Sequence, residues 1–189
     1  MKTIQYIRTT LLVTTLFFAA KLQANEIGLN IGDKAAAFEL TNQNGTKTSL
    51  TELTAEHDKL ALVFFRSADW CPHCKRQLVG LQNDLEIIEQ AGVRVVGISY
   101  DSVEVLDRFS KENNISYTLL SDPGSKTIDA YKIRNESVRP GRAEGIPHPT
   151  IFMVNNQGVI EAKLREESIR NRPTTEEIVT AANAMDSEV

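Results

Sequence analysis

Apolar residues follow two periods along this chain, and segments of one kind alternate with segments of the other. Leu60 to Phe65 is an unbroken apolar run, long enough for a central strand buried on both faces. From Pro72 the spacing changes. Leu78, Leu81, Leu85 and Ile88 recur at three- and four-residue steps, which predicts one helix with a single apolar stripe. Pro72 suits its first turn, where a missing N–H costs nothing, and Gly92 suits its end. Val93 to Ile98 is a second buried strand with Ser99-Tyr100-Asp101-Ser102 as its exit. Asp101 or Ser102 can cap the next helix, whose apolar face is Val105, Leu106 and Phe109 and which Asn113-Asn114 stops. A short extended piece, Tyr117 to Leu120, a turn and a short helix, Ser125 to Tyr131, follow. This alternation is the mark of βαβ units on a parallel sheet.

The flanks read differently. Ala35 to Leu40, the turn Asn42-Gln43-Asn44-Gly45 and Thr46 to Leu50 predict an N-terminal hairpin, with Leu53 in a brief turn or 3₁₀ segment after it. Asn135 to His148 is polar, contains Arg and Gly and has no period, so an ordered loop near the active end of the sheet is expected. Thr150 to Val154 and Val159 to Leu164 form a second hairpin about Asn155-Asn156-Gln157-Gly158. A last helix begins near Pro173, with Thr174 or Thr175 as its cap.

Residues 1–24 stand apart from this pattern. Lys2 and Arg8 give a weakly basic start, Leu11 to Ala20 is a compact apolar run, and Ala24 is a small residue at a plausible cleavage point. That is the pattern of a secretory signal peptide, and the run is short for a membrane span, although an uncleaved anchor is the alternative. Export to a bacterial periplasm as a soluble protein, without stable membrane insertion after cleavage, is the resulting expectation. Removing residues 1–24 takes away Lys2, Arg8 and Lys21 and no acid, so the formal charge falls from −4 to −7. An acidic chain of this kind has no electrostatic case for binding nucleic acid. Residues 25–189 suit a single domain with a core that needs no cysteine staples.

The chain nevertheless holds two cysteines, both in Trp70-Cys71-Pro72-His73-Cys74 at the start of the predicted helix. A Cys-x-x-Cys pair between a strand and a helix reads as a thiol–disulfide redox site. A thiolate at Cys71 meets the free N–H groups and the positive end of the helix dipole, which depress its pKa. Cys74, one turn on, is placed to attack a mixed disulfide at Cys71. Less active readings are a structural disulfide, which would close too small a loop to contribute much, a zinc site, which needs about four ligands where only His73 and distant His57 and His148 could assist, and two inert core cysteines.

The strand, the WCPHC segment and the later Gly145-Ile146-Pro147-His148-Pro149-Thr150 together resemble the thioredoxin superfamily. The N-terminal hairpin and the strand–helix section around 93–131 are similar to the branch that joins AhpC/TSA-type peroxiredoxins with periplasmic thiol–disulfide oxidoreductases. The resemblance spans residues 31–183. It implies an α/β, thioredoxin-like fold: a central mixed sheet flanked by helices, with an N-terminal hairpin and a βα insertion. It also implies Cys71 as nucleophile, Cys74 as resolving thiol, and a cis proline at Pro149 that exposes the His148 backbone to an extended substrate. Trp70, Pro72, His73 and His148 are the supporting residues, with His73 expected to donate a hydrogen bond or charge to the Cys71 thiolate and His148 a candidate contact of the cysteines.

Two departures qualify the resemblance. Thioredoxins carry a buried acid in the strand before the motif, but Leu60 to Phe65 is wholly apolar, and Asp69 lies in the turn. Deprotonation of Cys74 then falls to water, His73 or the loop near Glu144. Peroxiredoxins place a proline and a threonine seven and three residues before the peroxidatic cysteine, where this chain has Phe64 and Ala68. Arg66, Arg139 and Arg142 are candidate cations. The Pro-His dipeptide matches a strongly oxidising periplasmic disulfide-forming enzyme, which has a larger helical insertion than this chain.

The leading function is therefore a periplasmic thiol–disulfide oxidoreductase cycling Cys71 and Cys74. The alternative is a peroxiredoxin-like thiol peroxidase, in which Cys71 becomes a sulfenic acid and Cys74 condenses with it. A second alternative is a Cu(I)-binding module using the two thiolates. No cofactor and no resident metal are expected. The partners expected are a disulfide or hydroperoxide substrate and a redox partner protein. All of this requires the two sulfurs to be close and reachable from solvent.

Overall fold

The computed structural model describes residues 27–139, 141–166 and 170–186, so the leader expected at 1–24 lies outside the described residues. Seven strands form one mixed sheet: β1 (Glu39–Asn42), β2 (Lys47–Ser49), β3 (Lys59–Phe64), β4 (Val93–Ser99), β5 (Thr118–Ser121), β6 (Thr150–Asn155) and β7 (Ile160–Leu164), in the spatial order β2-β1-β5-β4-β3-β6-β7. β3, β4 and β5 run parallel, while β6, β7 and the β1–β2 hairpin add antiparallel edges. The central strands alternate strictly. Ala61, Val63 and Phe65 face one core with Leu78, Ile88, Leu106 and Ile178, and Leu60, Leu62 and Phe64 face the other with Leu50, Leu53, Ile128 and Tyr131. Helices α2 (Pro72–Asn83), α3 (Leu85–Gln90), α4 (Val103–Asn113) and α6 (Thr175–Met185) thus cover one face, and α1 (Leu50–Glu56) and α5 (Lys126–Ala130) the other. Among the described residues no helix is long and apolar enough to cross a membrane.

Three elements depart from the expected pattern. The helix from Pro72 is two helices, broken at Asp84, whose backbone leaves the helical region at φ −101° and ψ 10° and whose carboxylate accepts from Thr175 Oγ1 at 2.7 Å. The apolar stripe runs through this break, because Leu81, Leu85 and Ile88 are all buried. The segment after the first hairpin is a seven-residue α-helix. Ser49 Oγ accepts from the Glu52 N–H at 3.2 Å and the Glu52 carboxylate from the Ser49 N–H at 2.8 Å, a reciprocal cap that ends the strand and takes Leu50 into the helix. In the first hairpin, Ala35 to Phe38 lie outside β1 and pairing with β2 starts at Glu39.

Packing crowds Gly97 in β4, where a Cβ would lie 2.7 Å from Leu119 Cδ2 and 3.2 Å from Phe65 Cε1, and Gly145, at φ +87°, where a Cβ would meet Ser125 Oγ at 2.5 Å. The carboxyl ends of the parallel strands β3, β4 and β5 therefore converge beside the start of α2, which is where open α/β sheets place their chemistry.

Candidate active site

The turn between β3 and α2 is held from below by a buried carboxylate. Asp101, 7% exposed just beyond β4, accepts from Ser67 Oγ at 2.8 Å, the Ala68 N–H at 2.7 Å and Ser99 Oγ at 2.9 Å. Ser67 Oγ in turn accepts from the N–H groups of Asp69 at 2.9 Å and Trp70 at 3.3 Å. Burial holds the Asp101 carboxyl above its ordinary range, against the pull of those donors. Of the two residues expected to cap α4, Ser102 holds the cap position, and Asp101 fastens the turn that presents Cys71 instead.

That turn delivers Cys71 as the N-cap of α2. Cys71 Sγ accepts from the Cys74 N–H at 3.3 Å and is joined to Cys74 in a disulfide, with the Cα atoms 5.3 Å apart. Each sulfur also faces a guanidinium. Arg66 Nη2 lies 3.4 Å from Cys71 Sγ, and Arg172 Nη2 lies 3.7 Å from Cys74 Sγ. Arg66 and Trp70 stack at 5.7 Å, and the Trp70 ring also carries Arg142 at 6.0 Å. Trp70 Nε1 donates to Tyr100 Oη at 2.8 Å, and Tyr100 Oη donates to the Arg142 carbonyl at 2.6 Å, which pins the loop before β6 against the tryptophan. Arg142 also pairs with Asp69, and Arg108 reaches the same carboxylate at 3.2 Å.

The expectation of solvent-reachable sulfurs is corrected: in the disulfide form Cys71 and Cys74 are both 0% exposed. The helix start covers them from one side and the guanidiniums of Arg66 and Arg172 contact them from others. Pro72, at the first position of α2, is exposed. His73 differs from its expected role. Its Nδ1 lies 2.7 Å from Arg76 Nη2, and desolvation together with Arg76, Arg172, Arg66 and Arg170 lowers its pKa, so the imidazole is held neutral among cations.

The late Pro-Thr region also differs. No cis peptide bond occurs among the described residues, Pro149 included. The His148 N–H donates to the Ile133 carbonyl at 2.7 Å and its own carbonyl accepts from Thr150 Oγ1 at 2.9 Å, so the backbone expected to receive substrate is already paired. The His148 ring is half-buried, with its pKa lowered by burial and by Arg165, and among the described contacts it bonds neither cysteine. Glu144 is exposed in the loop, without a described bond to Cys74. Of the candidate cations only Arg66 touches a sulfur; Arg142 serves Asp69 and Trp70, and Arg139 makes no bond to the pair among the described residues. Arg172 and the true role of Asp101 went unread in the sequence, since their partners lie 98 and 33 or 34 residues away. No group of three His, Cys, Asp or Glu side chains gathers as a metal site among the described residues.

The family model for the AhpC/TSA family matches residues 31–163. The chain belongs to the AhpC/TSA family. It is 32% identical over 133 residues to peroxiredoxin Bcp of Escherichia coli K12, covering 70% of this chain and 83% of that one. It is also 32% identical over 146 residues to the chloroplastic peroxiredoxin Q of Sedum lineare, covering 76% and 74%. Among solved structures, the peroxidoxin BcpB of Mycobacterium tuberculosis matches with TM-score 0.71 at 20% identity over 85% of this chain and 99% of that one, a likeness of fold. As an AhpC/TSA protein the chain is an oxidoreductase, and Cys71–Cys74 is its redox-active pair. At Ala68, three residues before Cys71, this family member offers no hydroxyl, and the Ala68 N–H is already given to Asp101.

Proposed function

We propose that this AhpC/TSA protein is a thiol peroxidase in which Cys71 attacks hydroperoxides and Cys74 resolves the product. The observation that carries the reading is Arg66 Nη2, 3.4 Å from Cys71 Sγ at the N-cap of α2. A guanidinium and a helix start converge there on one sulfur. Both favour thiolate over thiol, and the guanidinium can also take the charge that develops on a departing peroxide oxygen. The Cys71 thiolate attacks one oxygen of the hydroperoxide, the O–O bond breaks, and the other oxygen leaves with a proton as alcohol or water. Cys71 is then a sulfenic acid. Cys74 attacks its sulfur, water departs, and the observed disulfide results. A redox partner protein with two thiols returns the pair to the reduced state. The names of the relatives support this reading.

The thiol–disulfide oxidoreductase expected from the sequence is the second reading. It is favoured by Phe64 and Ala68, which leave the peroxide with neither the proline nor the hydroxyl that the peroxiredoxin pattern places there. Stopped-flow mixing of reduced protein with hydrogen peroxide separates the two, with Trp70, the single tryptophan, as reporter. The peroxidase gives a peroxide-dependent change that C71S abolishes. Negligible peroxide consumption beside efficient exchange with protein disulfides selects the second reading. Export to the periplasm belongs to the same proposal and rests on the leader-like residues 1–24. Recovery of the full chain with the cytoplasmic rather than the periplasmic fraction would overturn it.

A further inference from the structure

We propose that Arg172 is a catalytic residue of the second cysteine, its guanidinium holding the negative charge on Cys74 whenever the Cys71–Cys74 bond opens. Arg66 and Arg172 supply one guanidinium per sulfur, at 3.4 and 3.7 Å. Helix α2 treats the two sulfurs unequally. Cys71, at the N-cap, receives an N–H hydrogen bond, while Cys74 is the third residue inside the helix and, apart from the disulfide, its sulfur has no described hydrogen bond besides that of Arg172. Cys74 is 0% exposed, where a bare thiolate is costly, and no described carboxylate bonds it. Arg172 is set in place from outside α2. Buried Pro173 and the reciprocal cap of Thr174 with Glu177 fix the start of α6, and Thr175 Oγ1 ties that start to Asp84 at the end of α2. Desolvation and the neighbouring Arg66 and Arg76 lower Arg172 to about 10, so it stays protonated at neutral pH. The repulsion that Arg66 and Arg76 exert on Arg172 is eased when a thiolate appears beside it.

In the reducing step a thiolate of the reductant attacks Cys71 Sγ. The new S–S bond forms as the Cys71–Cys74 bond breaks, and the electron pair leaves on Cys74 Sγ, facing Arg172. The reductant's second thiolate then releases Cys71 and closes the reductant's own disulfide. This step is shared by a peroxidase and a disulfide oxidoreductase. Only the reverse use, Cys74 thiolate attacking a sulfenic acid at Cys71, rests on the peroxidase reading.

The test mixes oxidised full-length protein with excess dithiothreitol and follows Trp70 fluorescence. A rise of two units in the leaving thiol's pKa slows exchange about tenfold, so R172Q should be reduced about tenfold more slowly than the parent protein, with R172K, which keeps the charge, within about threefold of it. Reduction of R172Q at the parent rate overturns the proposal, and so does R172K slowing as much as R172Q. No peroxide is used, so the outcome is separate from that of the peroxidase reading. Should R172Q fail to fold, C71S carries the test with Arg172 intact. There Cys74 Sγ keeps the guanidinium of Arg172 at 3.7 Å, with Arg66, Arg76 and His73 as the charged and titratable groups that act on Arg172 or feel it, and its thiolate absorbance should titrate below the ordinary thiol value of about 8.5. A midpoint at or above that value overturns the proposal.

Discussion

Replacing Asp101 with alanine should cost both stability and chemistry, and the structure sets the size of the effect. The carboxylate takes three donors in a site where it is 7% exposed. The hydroxyls of Ser67 and Ser99 can rotate toward other acceptors, but the Ala68 N–H cannot turn. A buried donor left unmade costs about 1–3 kcal/mol, so D101A should lose about 3 kcal/mol once the loosened hydroxyls are included. For a domain of this size that is a fall of about 6–12 °C in Tm. Ser67 also orders the N–H groups of Asp69 and Trp70, so the turn that presents Cys71 should loosen and Trp70 emission should change. The isosteric D101N keeps one acceptor and should lose less. Asp101 also carries a pH signature. Its folded pKa lies above the ordinary 3.8, so the folded state binds more protons than the unfolded one in the interval between. The stability it contributes is full at the acid end and falls as pH climbs from 3.8 through the raised value, then stays flat. The difference in stability between parent and D101N should fall over that interval, as read by urea denaturation across pH. If D101A unfolds within about 0.5 kcal/mol of the parent, the carboxylate does not hold this turn, and the account of how Cys71 is placed fails.

Other perturbations probe neighbouring contacts. R66Q removes the guanidinium 3.4 Å from Cys71 Sγ, and alkylation of reduced protein by iodoacetamide at neutral pH should slow about tenfold at Cys71, the equivalent of a thiol pKa rising by one to two units; an unchanged rate would show that the helix start alone activates the thiol. G97A would drive a methyl against Leu119 Cδ2 at 2.7 Å, so chemical denaturation should show a loss of about 1–3 kcal/mol, and a neutral result would mean the leucine swings away freely. Y100F removes the hydroxyl that bridges Trp70 Nε1 and the Arg142 carbonyl, at a cost of about 1 kcal/mol; trypsin should then cut after Arg142 sooner than in the parent protein, and an equal cutting rate would show the loop is held by other contacts.

Much of the fold was legible because it is written in local periods. The Leu60–Phe65 run, the stripe from Leu78 to Ile88 and the turn residues before Gly45 each depend on neighbours within a few positions. The redox pair was legible for the same reason, since Cys71, Cys74 and the helix that orders them occupy one turn. The break at Asp84 was not, because an apolar stripe does not interrupt when a backbone kinks and Thr175, which bonds the Asp84 carboxylate, lies 91 residues away. His73 misled because a spacing cannot report its desolvation, or that Arg170 and Arg172 arrive from a distant segment to join Arg76 and Arg66 in keeping its ring neutral.

The buried sulfurs show why this gap matters for function. A Cys-x-x-Cys pair at a helix start implies accessible chemistry only if nothing else packs against it. Here Arg66, five residues before Cys71, and Arg172, 98 residues after Cys74, each contact one sulfur, and both cysteines are 0% exposed within the core. An incoming thiolate therefore needs groups around the pair to move before it can attack, and it meets positive charge beside each sulfur. The cations that touch the buried disulfide are those placed to stabilise the thiolates once it opens. Replacing either arginine with a small residue therefore trades whatever room it opens for a loss of thiolate stability. Charge outweighs space here, so a lysine, which restores thiolate stability without restoring the planar guanidinium, should keep most of the reduction rate.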